Sequence, residues 1–176
     1  MRPNIKILFG AICFCLLLPK FAVAAETSNP RELLARYVVE LQTAPEDQPL
    51  RERIIRLERT MMPSPAVPEE AKRFFVRATI FQQEASDIRG REPLAMSAYA
   101  FAISSYKEAL LIAPWWPEAY YGLSTSLQGA GRYDDAVAAL NLYMATGPNA
   151  AGASAAADRL CAIAARAQSD RALSKR

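Results

Sequence analysis

From Pro30 onward, apolar residues return every three or four positions, the spacing of helices that bury one face. Asn29-Pro30 opens the first: a polar cap followed by Pro in the first turn, then Leu33, Leu34, Tyr37, Val38 and Leu41 along one stripe. Thr43 to Pro49 reads as a turn, and Leu50, Ile54, Leu57 and Met61 mark a second helix whose other faces carry Arg51, Arg53, Arg56 and Arg59. Pro63-Ser64-Pro65-Ala66-Val67-Pro68 forbids helix and favours an extended linker. Glu69 and Glu70 suit the positive end of the next helix, which runs through Phe74, Phe75, Ala78, Phe81 and Gln82 and fades near Asp87. Residues Arg89 to Pro93 read as a loop, and a longer helix spans Leu94 to Ile112, stopped by Pro114. Helices over Pro117–Gln128 and Tyr133–Ala145 flank a tight turn at Gly129-Ala130-Gly131-Arg132, and Gly147-Pro148 ends the second. An alanine-rich helix from Ala153 to about Ala172 closes the chain. Val and Ile never alternate with polar residues over a useful length, so no strand is predicted.

The first 25 residues follow a different plan. Arg2 and Lys6 precede an apolar run from Ile7 to Leu18, broken by Pro19-Lys20, and Phe21-Ala22-Val23-Ala24-Ala25 supplies small residues where a signal peptidase cuts. The run is short for a membrane span, which needs roughly 20 apolar residues. Residues 1–25 are therefore expected to be a cleaved secretory signal, leaving no stable membrane span and placing the mature chain in a bacterial periplasm or outside the cell. Cys13 and Cys15 sit within the apolar run, which does not suit a lipoprotein signal.

Removing that segment changes the charge balance. The formal charge of the whole chain is +3, yet all 18 acidic residues and all but three of the 21 basic ones lie beyond residue 25, so the mature chain is neutral. A neutral chain lacks the excess of Lys and Arg that displaces counterions, and nucleic acid is not an expected partner. Only Cys161 remains after cleavage, which rules out an intramolecular disulfide; on an alanine-rich helix it reads as a small core residue. There is no His anywhere. With one Cys and no Gly-rich phosphate loop, neither a metal site nor a cofactor site is expected. Asp134-Asp135 and Glu69-Glu70 stand at helix starts, where acids satisfy the dipole, and no catalytic residue is assigned.

The strongest pattern is a repeat. At a 34-residue step, Ala102, Tyr106, Ala109, Leu110 and Pro114 fall on Ala136, Leu140, Tyr143, Met144 and Pro148. A small residue admits a neighbouring helix, a large one fills the gap, and Pro ends the pair so that the next can begin. In this the chain resembles the tetratricopeptide repeat. Tyr120, Leu123, Ser124 and Leu127 stand at that family's packing positions in the first helix of the repeat, and Gly131 with Tyr133-Asp134-Asp135-Ala136 matches its turn and the start of the second. Tyr143 replaces an expected Ala, which implies wider packing onto the following helix. The preceding repeat fits if Phe74, Ala78 and Phe81 take the roles of Tyr120, Ser124 and Leu127, with an insertion near Asp87 to Pro93. The segments Leu50 to Ile55, Pro68 to Ala71, Ala113 to Pro117 and Gly131 to Ala136 also resemble a group of exported bacterial proteins carrying this repeat.

The resemblance implies an all-α, tetratricopeptide-like solenoid. Its expected parts are an N-terminal helical hairpin (26–62), the proline-rich linker (63–68), two repeats over 69–150 (about 69–116 with the insertion, then 117–150) and a C-terminal capping helix (151–176). Since about three repeats are needed to bury enough surface, the hairpin and the last helix are expected to act as caps. The resemblance further implies that the first helix of each repeat lines a concave groove. The groove-facing positions pair as Phe75, Thr79 and Gln82 with Tyr121, Thr125 and Gln128, each trio an aromatic, a Thr and a Gln. Aromatic faces with hydroxyl and amide groups suit an extended peptide or an amphipathic helix, and the same trios can also serve as packing between helices. Of Trp115 and Trp116, adjacent and so divergent, one is expected in the core and one partly exposed. The expected function is an exported scaffold that binds another protein or peptide in support of a cell-envelope complex. The alternatives are a self-assembling structural subunit and, more remotely, a small carboxylate-dependent hydrolase.

Overall fold

Local chemistry starts and stops the helices where the pattern places them, with two shifts. The computed structural model describes residues 29–88 and 92–173; the expected export signal, with Cys13 and Cys15, lies outside the described residues, as does the loop at 89–91. Helix α1 (Pro30–Thr43) is capped by Asn29, whose Oδ1 accepts from the Arg31 amide at 3.1 Å, and α2 (Gln48–Glu58) by Asp47, whose Oδ1 accepts from the Leu50 amide at 2.9 Å. Helix α3 spans Glu69–Asp87 and α4 spans Glu92–Ile112. The latter begins earlier than expected, taking Pro93 into its first turn, where a missing N–H costs nothing. Helices α5 (Pro117–Gly129) and α6 (Tyr133–Ala145) are joined through Gly131, whose φ of 69° is a left-handed conformation that suits glycine. Helix α7 (Ala150–Leu173) also begins earlier than expected, because Asn149 Oδ1 accepts from the Gly152 amide at 2.8 Å and caps it. The described residues contain seven helices and no strand.

Small residues set how the helices approach. Ala71, Ala78 and Ala85 recur every seven residues along the buried side of α3, and Ala95, Ala98, Ala102 and Ala109 are buried on α4. These two helices form the most extensive pairing in the molecule. Between α4 and α5 the rule inverts. Tyr106 lies where a side chain on Gly122 would be, and Tyr99 where one on Gly129 would be, so two rings seven residues apart lie over two glycines seven residues apart. Helix α6 then packs on α5 and α7 on α6. Tyr143 does not need wider packing: its hydroxyl takes the space left by the missing side chain of Gly152. Cys161 is exposed rather than in the core; on α7 the buried positions are Ala156, Ile163 and Ala167.

The N-terminal hairpin departs from a simple cap. Its contacts to the repeats go chiefly to α4 and α6, the second helices of the two repeats, so it folds back across them instead of extending the stack beyond α3. Two arginines on α2 make the attachment. Arg51 donates to the Leu110 carbonyl (3.2 Å) near the C-terminus of α4, and Arg59 to the Ala145 carbonyl (3.3 Å) at the C-terminus of α6. Both satisfy carbonyls left open at helix ends and place positive charge at the negative pole. Ile55 of α2 enters the core shared with Tyr106, Tyr120 and Leu140. Leu34, Leu41, Leu50, Ile54 and Met61 form a second core with Ala71, Ala113 and Trp115. Each large aliphatic side chain so buried contributes about 1.5–3 kcal/mol.

Candidate peptide-binding face

With α4 and α6 overlain by the hairpin, the first helices of the repeats, α3 and α5, together with α7, supply the remaining broad face. All eight residues expected to hold the repeats together are inside or nearly so. Ala102, Tyr106, Tyr120, Ala136 and Leu140 are at most 2% exposed. Leu123 and Pro114 are buried and Pro148 is half-buried. Tyr120 donates its hydroxyl to the Pro114 carbonyl at 2.8 Å, tying the start of α5 to the end of the preceding repeat. Burial holds the Tyr120 hydroxyl above the usual tyrosine range.

The six groove-facing residues divide into two groups. In the first trio, Phe75 is half-buried, edge-on to Tyr106 (centroids 5.6 Å apart) and stacked on Trp116 (4.5 Å). Gln82 Oε1 accepts from both the Tyr106 hydroxyl and the Ser126 hydroxyl, each at 3.1 Å. Thr79 Oγ1 donates to the Phe75 carbonyl and lies 3.4 Å from the Tyr106 hydroxyl, while the Thr79 residue stays exposed. Phe75 and Gln82 thus join α3 to α5 through internal contacts. Burial pushes the Tyr106 hydroxyl up in pKa, partly offset by the Thr79 hydrogen bond.

In the second trio, Tyr121, Thr125 and Gln128 are all half-buried. Arg159 of α7 reaches over them. Its guanidinium sits 5.0 Å from the Tyr121 ring centroid, a cation–π contact, and its Nε donates to Gln128 Oε1 at 3.0 Å. Thr125 donates its hydroxyl to the Tyr121 carbonyl. Thr125 and Gln128 then line a cleft of about 840 Å³ with Met96, Tyr99, Arg159 and Arg166. Phe75, Thr79, Gln82 and Tyr121 lie outside its lining; Thr79 borders a separate, shallower depression along α3 with Ile80, Gln83 and Glu84. Of the two tryptophans, Trp115 is in the core and Trp116 is half-buried against Phe75.

Reading the repeat alone missed Tyr99, Arg159 and Arg166. The signal was present as three matched seven-residue steps: Tyr99 and Tyr106 on α4, Gly122 and Gly129 on α5, and Arg159 and Arg166 on α7. Two turns of helix return to nearly the same face, so each pair marks one line of contact. The cleft combines an aromatic ring, a thioether, amide and hydroxyl groups and two guanidinium groups, a set that grips a peptide by its backbone and its acidic side chains. Among the described residues, no group of three or more His, Cys, Asp and Glu side chains is placed to hold a metal ion, and no helix is long and apolar enough to cross a membrane.

Residues 94–160, covering α4 to the first half of α7, match the family model of the tetratricopeptide repeat. No curated protein and no solved structure matches the chain significantly.

Proposed function

With residues 94–160 a tetratricopeptide-repeat segment, we propose that the chain is a protein–protein interaction scaffold that receives a peptide or an amphipathic helix in the cleft between α4, α5 and α7. One observation carries the reading. The hairpin and its arginines occupy the α4 and α6 side, whereas Thr125, Gln128, Arg159 and Arg166 line a cleft of about 840 Å³ that no other part of the described chain fills. A pocket of that size is in the range that holds a peptide side-chain cluster. The layout of residues 1–25 supports export, and the task proposed for the mature chain is to support a cell-envelope complex. Catalysis has no part in this reading.

The test is crosslinking in intact cells followed by capture of the chain and mass spectrometry. Thr125 and Gln128 suit the perturbation because they line the cleft. The pair Thr125→Ala and Gln128→Ala is expected to lose capture of a reproducible envelope partner while keeping the thermal midpoint within a few degrees. Unchanged capture by that pair removes the cleft from the interface. Determination of the mature N-terminus from the same cells checks export: cleavage after Ala24 or Ala25 is expected, and an intact Met1 in the envelope fraction contradicts it.

A further inference from the structure

A second cavity, sharing no lining residue with the cleft, lies where the α1–α2 turn and α2 meet α4, α5 and α6. It encloses about 130 Å³ and is lined by Arg51, Lys107 and Arg132 on one hand and Glu46 and Asp135 on the other, over a floor of Tyr120, Leu123 and Leu127. Both carboxylates are already engaged. Glu46 accepts from Lys107 Nζ at 2.8 Å, and Asp135 pairs with Arg132 at 2.6 Å. These acids are exposed, so the pairs are worth little and open readily.

Arg51 is different. It is 9% exposed, and its hydrogen bonds go to two main-chain carbonyls, Pro45 at 2.6 Å and Leu110 at 3.2 Å. Among the described residues no carboxylate pairs with it within 4 Å. A guanidinium carries five N–H donors in a planar fork, and carbonyl partners satisfy hydrogen bonds without cancelling the charge. A buried cation without a counter-charge is costly. The five charged groups of the cavity leave one positive charge in excess, and it is the buried one. The space amounts to roughly four waters' share of liquid volume, enough for one small planar anion.

The geometry points to a carboxylate-binding site in this cavity, in which Arg51 takes the carboxylate side-on and Lys107 and Arg132 turn from their exposed acids to close over it. The ligand chemistry is one carboxylate group, supplied either by a free small acid or by the C-terminus of a peptide. The apolar floor accepts the one or two carbons that carry it. Arg51 therefore has two duties: its carbonyl bonds fasten the hairpin, and its remaining donors face the cavity.

The experiment is a titration of the isotopically labelled chain with acetate at constant ionic strength, chloride being exchanged for acetate, with the Arg51 Nε–H resonance as the readout. Saturable movement of that resonance is expected. Lys107→Glu with Arg132→Glu, both partly exposed positions, is expected to weaken binding by at least about tenfold, since like charges then face the ligand. Glu46→Gln with Asp135→Asn is expected to strengthen it, an opposite effect that a purely structural Arg51 would not produce. Two further arms compare a tripeptide bearing a free C-terminus with its amidated form. Tighter binding of the free peptide than of acetate identifies a chain end as the source, and equal or weaker binding identifies a free acid. An Arg51 resonance unmoved by acetate, or an affinity indifferent to both charge variants, overturns the proposal. Because neither Thr125 nor Gln128 lines this cavity, failure here leaves the cleft reading standing, and the reverse also holds.

Discussion

Replacing Gly122 by alanine tests whether the Tyr106–Gly122 contact holds the two repeats together. A methyl at residue 122 would stand 2.6 Å from Cε1 of Tyr106, against the roughly 3.5–4.0 Å at which two carbons attract. The ring has little freedom to retreat: Tyr106 is 2% exposed, donates to Gln82 and meets Phe75 edge-on. Two effects oppose each other. Alanine in the middle of a helix is favoured over glycine by about 1 kcal/mol. Overpacking costs about 1–3 kcal/mol, and parting the tyrosine from Gln82 adds about 1 kcal/mol. The net loss is about 1–3 kcal/mol, and at about 2–4 °C per kcal/mol for a domain of this size the melting midpoint falls by about 3–10 °C. The assay is thermal unfolding followed by circular dichroism, with urea midpoints as a second measure. A double-mutant cycle separates the cause from general damage. In a Tyr106→Leu background the ring is gone, so Gly122→Ala should be neutral or stabilising. A Gly122→Ala protein at least as stable as the parent, or an equal loss in both backgrounds, refutes the reasoning.

Other perturbations address the remaining links. Ile55→Ala removes a side chain that α2 buries in the repeat core; a loss of about 2–5 kcal/mol is expected from urea unfolding, and a loss near zero would mean the hairpin is not docked there. Glu46→Gln breaks an exposed ion pair with Lys107 and should change stability by less than about 1 kcal/mol, read from the same curves. Burial holds the hydroxyls of Tyr106 and Tyr120 above their ordinary value, so the stability they contribute is complete below the unfolded tyrosine value of about 10 and is lost as pH rises through their folded values. The urea midpoint should accordingly fall above about pH 10, and Tyr106→Phe should shrink that fall; a flat midpoint would contradict the burial. Cys161 is exposed, so a thiol reagent should label it fully in the folded chain with no change in helicity; protection until unfolding would put it back in the core.

Helix positions were legible because their causes are local. Asn29, Asp47, Gly131, Pro114 and Pro148 act on the backbone within a few residues, and a buried stripe repeats every turn of the same helix. The two early starts have equally local causes, Pro93 tolerated in a first turn and Asn149 acting as a cap, and a stricter weighing of cap chemistry would have found them. The packing residues Ala102, Tyr106, Ala136 and Leu140 were legible because the repeat writes the same contact twice. The candidate face was legible only in part. The pattern marked Thr125 and Gln128, yet it had no means of distinguishing the internal hydrogen bonds of Gln82 from the cleft beside Gln128.

The sequence by itself determined an all-helical chain with a tetratricopeptide-type repeat, because helix periodicity, turn residues and a 34-residue step are written in consecutive positions. Tertiary structure decided where the hairpin goes and what α7 covers. Arg51 meets Leu110 across 59 residues and Arg59 meets Ala145 across 86, while Arg159 meets Gln128 across 31. Such partners are chosen by which helix ends and faces come together after collapse. Every surface arginine in this chain looks alike until the fold puts one beside an open carbonyl and another beside a ring.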